Sequence, residues 1–413
     1  MNTSSLLPPQ FELEAPIDPL LSATLKLERC ARILDLEDWV VEQLRHCEQE
    51  TVVNFLAAED NGEAHSTTGL LACHCSAPGR TIVPFRVSPV AYRNSVCADA
   101  MQMSWLCSLY GVQHGGGAAA LVIDPDKRSE HELHRAVFGF AEAARNDLSS
   151  TGLLVPAGVH AVEMDWLEAG LEYAPVARPV ITGKASTCPV EASREELAMG
   201  MMELIRCAAG NLKKRVAVQG FDEDMRALLI QLHKKGARIV AVADASGGLK
   251  HELGLDPRQL EEHVRSHGVL MGYPEAEAVL NTDVLEADCD VLILAGGARQ
   301  VHAQNVARVT APIVVECASG AVTESAEHEL SINGKVVISN LVASGPWLLR
   351  AIAEAEQVGP GSRRNAWIRR MVRDTWRRVG EAARTWNLPV SEAAQGLAVQ
   401  RVGSTLRAQG LRS

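Results

Sequence analysis

No uninterrupted apolar run in this 413-residue sequence approaches the ~18 residues that a membrane span requires, so no membrane partner is expected. The opening stretch, MNTSSLLPPQFELEAP, has neither a positively charged start nor a long apolar core. No secretory leader is therefore expected, and the chain reads as cytoplasmic. Positive charge is in short supply. Forty Lys and Arg face 51 Asp and Glu, for a net charge of −11. Phosphate binding needs concentrated positive charge, so nucleic acid is excluded as the main partner. There is no internal repeat and no common zinc-ligand spacing. Cys73-His74-Cys75 is the single cluster of metal-ligand types, and no second pair lies nearby, so no metal is expected. The ten cysteines are scattered and read as free thiols in a reducing compartment. Cys207, Cys289 and Cys317 lie in apolar stretches, where cysteine acts as a small hydrophobe.

What is present is an ordinary globular balance, with 47% apolar and 22% charged residues. The length points to two domains. Residues 1–16 read as a loose arm rich in Ser, Pro and Leu. Apolar spacing predicts helix from Pro19 to about Ala58, with Leu25, Ile33, Leu36, Trp39, Val40 and Leu44 sharing faces. Alternating segments at 69–75 and 81–87 predict strands, and 90–110 predicts a helix that ends at a glycine turn, Gly115-Gly116-Gly117. A strand over 118–123 and a polar-faced helix over 126–146 follow. The clearest unit is RVAVQG (215–220), a helix over 222–235 and RIVAVAD (238–244), a βαβ unit that implies a parallel, right-handed arrangement. Further strands are predicted at 291–294, 313–316 and 336–338. The fold class is therefore α/β. Residues 186–340 are expected to form a Rossmann-like, doubly wound domain. Residues 1–185, completed by helices from 341 to 413, are expected to form the other domain.

The order of motifs resembles the glutamate/leucine/phenylalanine/valine dehydrogenase family. Arg86 and Pro89, Met103-Ser104-Trp105, the triple glycine and Asp124-Pro125 carry the resemblance in the first half. Pro156-Ala157, Thr182-Gly183-Lys184, Arg194-Glu195-Glu196, Asp244 with Gly247-Gly248, Val314-Val315-Glu316 and Asn333-Gly334 follow in family order. The resemblance implies two domains across a cleft. The first would bind an amino acid and build the oligomer, commonly a hexamer, and the second would bind a nicotinamide cofactor. The implied reaction is reversible oxidative deamination of an L-amino acid. It needs lysines to polarise the carbon centre and hold the carboxylate, and an acid to shuttle protons.

This chain departs from the family at nearly every chemical position. Ile82 and Leu106 stand where the family has two lysines. Ala118 replaces the catalytic lysine after the triple glycine, and Val159 the catalytic aspartate. Ala198 and Ala351 replace a threonine and a serine of the pocket. Loss of one electrostatic donor typically costs ~2.7–4 kcal/mol of transition-state stabilisation, and here several go together. The Gly-rich dinucleotide turn reads Gly220-Phe221-Asp222-Glu223-Asp224-Met225, so only the first glycine survives. Asp222 and Met225 replace the glycines for pyrophosphate approach and helix packing, and three acids crowd the diphosphate position. The same acids suit a helix N-terminus. Asp244, which in NAD-binding relatives would meet a ribose hydroxyl, is kept.

No catalytic residue is therefore expected, and no cofactor, with NAD or NADP expected only if the site has been rebuilt. His114 and His160 are candidates for such rescue but lack an evident orienting partner. Arg86, Gly116, Gly117 and Ala351 are expected to line an apolar pocket suited to a hydrophobic amino acid such as leucine. Residues 361–413 hold eleven Arg and three acids, either a solvated helix face or a dock for an acidic subunit. The pattern implies a non-catalytic homologue assembling, as a homo- or hetero-oligomer of hexameric type, with an active glutamate dehydrogenase paralogue. An active amino-acid dehydrogenase with a rebuilt site and a structural scaffold are the alternatives.

Overall fold

The computed structural model describes residues 18–172, 178–185, 190–359 and 361–410, so the arm expected over 1–16 lies outside the described residues. Asp18 opens the first helix by accepting the backbone N–H of Leu20 (3.0 Å) and Leu21 (3.2 Å), with Pro19 in the first turn. Two short helices follow, α1 (Pro19–Leu34) and α2 (Asp38–Arg45). The helix expected to run to Ala58 stops there, because Gln49–Ala58 is a strand, β1. Its side chains alternate, with Val53 and Phe55 turned toward the core while Val52 and Leu56 are exposed. That period of two is a strand pattern, and register with the next strand enforces it.

β2 (Ala64–Cys75), β3 (Thr81–Val87), α3 (Arg93–Tyr110), β4 (Gly115–Val122), α4 (Glu130–Ala143), α5 (Arg145–Ser150), β5 (Leu153–Pro156), α6 (Ala161–Gly170) and β6 (Val180–Ile181) complete the first half. The triple glycine opens β4 instead of forming a turn. The sheet order is β1-β2-β4-β3-β5-β6. The β1/β2 and β2/β4 pairs are antiparallel and the rest parallel. One face packs on α3. The other packs on α4, where Phe140 stacks on Phe85 at 5.6 Å between ring centroids.

The second half alternates strands and helices as expected. α7 (Val190–Ala209) leads into β7 (Arg215–Gln219), α8 (Glu223–Lys234), β8 (Arg238–Asp244) and β9 (Gly247–Leu255). Then come α9 (Pro257–His267), β10 (Glu277–Val279), α10 (Asn281–Leu285), β11 (Val291–Leu294), β12 (Ile313–Glu316), α11 (Glu324–Ile332) and β13 (Val336–Ile338). The sheet order is β10-β9-β8-β7-β11-β12-β13. Its core strands are parallel, while β9 and β10 add an antiparallel edge. Gly247-Gly248 therefore begins a strand, with Gly247 at φ +150° allowing the sharp return from β8.

α12 (Asn340–Ala343), α13 (Gly345–Ala355), α14 (Ser362–Trp386) and α15 (Val390–Gly410) close the chain. α15 packs on α1 and α3, returning the C-terminus to the first sheet. Basic residues of this segment are spent inside the molecule. Arg378 and Arg401 donate to the last carbonyls of α3, at Leu109 (3.1 Å) and Ser108 (3.1 Å). Arg364 pairs with the buried Glu196 at 3.0 Å, Arg373 reaches Glu203 at 2.9 Å, and Arg407 pairs with Glu37. These contacts hold five arginines of the segment within the chain, while Arg363, Arg370 and Arg377 lie on an exposed face of α14.

Candidate functional site

Ile82 on β3 and Leu106 on α3 are buried in the same apolar cluster as Ala198 and Met202 of α7, Met225 of α8 and Ala351 of α13. Four of the six replaced chemical positions are thus buried in one extended apolar core. Ala118 on β4 is equally buried but belongs to an adjoining cluster with Leu70, Ala72, Val96 and Ala100. Val159, beyond β5, is half-buried and packs with the cluster on the opposite face of the sheet. None of these six side chains carries a charge or a proton donor or acceptor.

The glycines kept among them have a packing reason. A Cβ on Gly116 would sit 2.0 Å from the backbone nitrogen of Ser104, so β4 lies directly against α3. One on Gly117 would meet Val83 at 2.8 Å. Arg86 does not point a free guanidinium at an anion. It is ion-paired with Asp99 at 2.9 Å and donates to the Ser95 hydroxyl at 3.0 Å. Burial raises the Asp99 carboxyl's pKa and Arg86 draws it back down.

The histidines divide. His114 Nδ1 lies 3.1 Å from the Arg80 carbonyl, an arrangement in which the ring donates. His160 is exposed before α6 and makes no capping bond. His74, read only as part of a weak metal cluster, is wholly buried with both ring nitrogens engaged. Nε2 lies 2.8 Å from the Leu44 carbonyl and Nδ1 2.9 Å from the Ser104 hydroxyl. Burial lowers its pKa. Among the described residues no group of His, Cys, Asp and Glu could hold a metal ion. The nine described cysteines are free thiols.

At the dinucleotide-type turn, Gly220 has φ +107°, and a Cβ there would lie 2.6 Å from the Ala295 backbone. Asp222 is the N-cap of α8, and its carboxylate accepts the Met225 N–H at 2.8 Å. Such first-turn N–H groups are what a pyrophosphate would use. Glu223 and Asp224 face Arg194 of α7, Glu223 in direct ion pairing and Asp224 at 3.7 Å. Burial, then the charge of Asp222, raises the Asp224 pKa. Asp244 is fully engaged. One oxygen accepts from the backbone and hydroxyl of Ser246 at 2.7 and 2.5 Å, and the other from Leu270 N–H at 2.8 Å. The residues at this turn do not fit a dinucleotide's diphosphate and ribose, because local groups already hold both kinds of position. Sequence reasoning found the acids, and Arg194 only as a family landmark and not as their partner, because the two lie 29 and 30 positions apart with no motif linking them.

The sequence model described as Glutamate/Leucine/Phenylalanine/Valine dehydrogenase matches residues 197–410, and that of the family's dimerisation domain matches 47–172. A two-domain α/β dehydrogenase architecture is thus defined from both halves. The chain belongs to the Glutamate/Leucine/Phenylalanine/Valine dehydrogenase family. A glutamate dehydrogenase of Thermotoga maritima is 28% identical over 414 residues, covering 94% of this chain and 97% of that protein. One from Aeropyrum pernix is 30% identical, covering 80% and 81%. In structure, the chain is similar to the hetero-hexameric glutamate dehydrogenase from Thermus thermophilus in its Leu-bound form. There the TM-score is 0.86 at 22% identity, covering 96% of this chain and 98% of that one. The family is NAD(P)-dependent, and no helix among the described residues is long and apolar enough to cross a membrane.

Proposed function

We propose that this chain is a non-catalytic member of the family, a regulatory subunit that assembles with an active glutamate dehydrogenase and responds to a hydrophobic amino acid. The observation that carries the reading is the burial of Ile82, Leu106, Ala198 and Ala351 in one apolar cluster where the family's chemistry would need lysine and hydroxyl groups. Ala118 and Val159 extend the loss. The self-occupied turn at Gly220, Asp222 and Met225, with Asp244 held by Ser246 and Leu270, supports the absence of a bound NAD or NADP. The division expected at 185/186 and 340/341 belongs to the same reading, with residues 1–185 and 341–413 building the assembly.

Assembly is supported by β1. It is the edge of the first sheet and shows Val52 and Leu56, 56% and 74% exposed, on its open face. The hetero-hexameric, Leu-bound character of the Thermus neighbour supports a mixed oligomer and an effector of that kind. Coupling between subunits is typically worth 1–3 kcal/mol and needs an effector that prefers one of two states.

The test is steady-state turnover of the isolated chain with a panel of L-amino acids and either NAD⁺ or NADP⁺. Rates below ~1 s⁻¹, under the usual enzyme range, are expected. Calorimetry is expected to show no micromolar dinucleotide binding, which would correspond to about 8 kcal/mol. Turnover above that rate establishes the rebuilt-enzyme alternative instead.

A further inference from the structure

Two cysteines 50 positions apart meet at the root of the edge strand. Cys47 lies in the connection between α2 and β1, and Cys97 lies one turn into α3. Cys47 Sγ stands 3.9 Å from the Cys97 carbonyl oxygen, and its thiol also donates to the Cys97 sulfur. Both pack in the apolar cluster of Val96, Ala100 and Ala118. Cys97 is 2% exposed and Cys47 is half-buried, so the pair meets solvent at Cys47. Arg93, one turn before Cys97, pairs with Glu50 at 2.5 Å, and both charges reach Cys97.

The remaining described cysteines have no such setting. Burial pushes the Cys30, Cys75 and Cys289 thiols up to about 12, 11 and 12, and it raises Cys73, Cys107, Cys207 and Cys317 too. Thiols held protonated in apolar surroundings are inert. Cys97 is the one described cysteine whose pKa is lowered. The hydrogen bond from Cys47 lowers it most and Arg93 adds to that, against burial and Glu50, which raise it. Cys47, as the donor, keeps its proton.

We propose that Cys47 and Cys97 are a redox-active pair, closed into a disulfide by a peroxide and reopened by a small dithiol. The Cys97 thiolate, its proton released to solvent, attacks one peroxide oxygen. The O–O bond breaks, and the departing hydroxide takes up a proton and leaves as water. Cys97 is then a sulfenic acid. The Cys47 sulfur displaces its hydroxide, which leaves as water with the Cys47 proton, and the S–S bond forms. Two thiols lose two electrons in all, and one peroxide becomes two waters. A dithiol reverses the closure by exchange and is itself oxidised to a disulfide. In a reducing compartment such bonds are transient and redox-sensing. The closed form ties the residue two positions before β1 to α3, so oxidation acts at the foot of the edge strand. The pair belongs to the isolated chain and stands whether or not the regulatory reading holds.

The experiment treats the reduced full chain with hydrogen peroxide, alkylates the remaining thiols in denaturant and maps the peptides by mass. A Cys47–Cys97 linked peptide, lighter by two hydrogens, is expected before oxidation of any other described cysteine. Dithiothreitol is expected to reverse it, and non-reducing electrophoresis to show the cross-link within single chains. In Cys47→Ser the link is lost and Cys97 is expected to be trapped as a sulfenic acid by dimedone. In Cys97→Ser, Cys47 is expected to react with peroxide at least tenfold more slowly than Cys97 does in the parent. Absence of the linked peptide from the parent overturns the inference, and so does a link from Cys47 to Cys73 instead. Cys47 reacting as fast in Cys97→Ser as Cys97 does in the parent overturns the assignment of Cys97 as the attacking sulfur.

Discussion

Gly116 stands where β4 and α3 come closest, and its lack of a side chain is a steric requirement at that crossing. Gly116→Ala puts a Cβ against the Ser104 backbone and is expected to cost at least about 1–3 kcal/mol, the range for overpacking a filled core. Chemical denaturation measures it, and a variant as stable as the parent contradicts the packing role. His74 offers a second residue-scale check. Burial lowers its folded-state pKa, so the unfolded chain binds its proton first as pH falls. This contribution to stability is present above the unfolded value of ~6.5 and is lost below it, by up to about 1.4 kcal/mol per pH unit. Between pH 7 and 5.5, His74→Gln is expected to show a shallower loss of stability than the parent. Parallel curves would mean that the ring takes up its proton without unfolding. The residues that stand out in the sequence, the triple glycine and Asp244, thus serve packing and local hydrogen bonding here. That assignment was not legible beforehand, because the partners that decide it, Ser104 and Leu270, are contacts made only by folding.

At the scale of elements, three parallel strands of the second sheet were legible to the residue, and β7 to within one. Val291–Leu294, Ile313–Glu316 and Val336–Ile338 are short, mostly β-branched or leucine runs covered on both faces, and nothing competes with that reading. β1 was not legible, since Val52, Val53, Phe55 and Leu56 satisfy helical as well as alternating spacing. Only pairing with β2 decides between them. β9 and β10 escaped because β9, next to the edge and carrying Lys250, His251 and Glu252, and the three-residue edge strand β10 both lack the apolar signature of a buried strand. The arginines of α14 were visible as a charge run, but their partners were not. Arg364 and Glu196 form a buried pair with side chains 8% and 5% exposed. Arg364→Met leaves Glu196 buried and unpaired and is expected to cost about 3–5 kcal/mol, with most of it recovered in the Arg364→Met/Glu196→Met double variant. A single variant within ~1 kcal/mol of the parent shows the pair to be dispensable.

For the whole molecule, the family's chemical positions are apolar and the dinucleotide-type turn is occupied by the chain's own groups. The exposed apolar side chains of the edge strand β1 are the other global feature. Leu56→Lys puts a charge on the open face of the edge strand β1 and is expected to lower the oligomer's mass by light scattering while leaving the fold intact. An unchanged mass places the interface elsewhere. The most direct measurement of the central claim is co-expression of this chain with the host's intact glutamate dehydrogenase, purification through a tag on one partner, and assay with and without leucine. A regulatory subunit is predicted to co-elute at fixed stoichiometry and to change the partner's rate and its leucine response. Separate elution, with the partner's rate and leucine response unmoved by this chain, would contradict it.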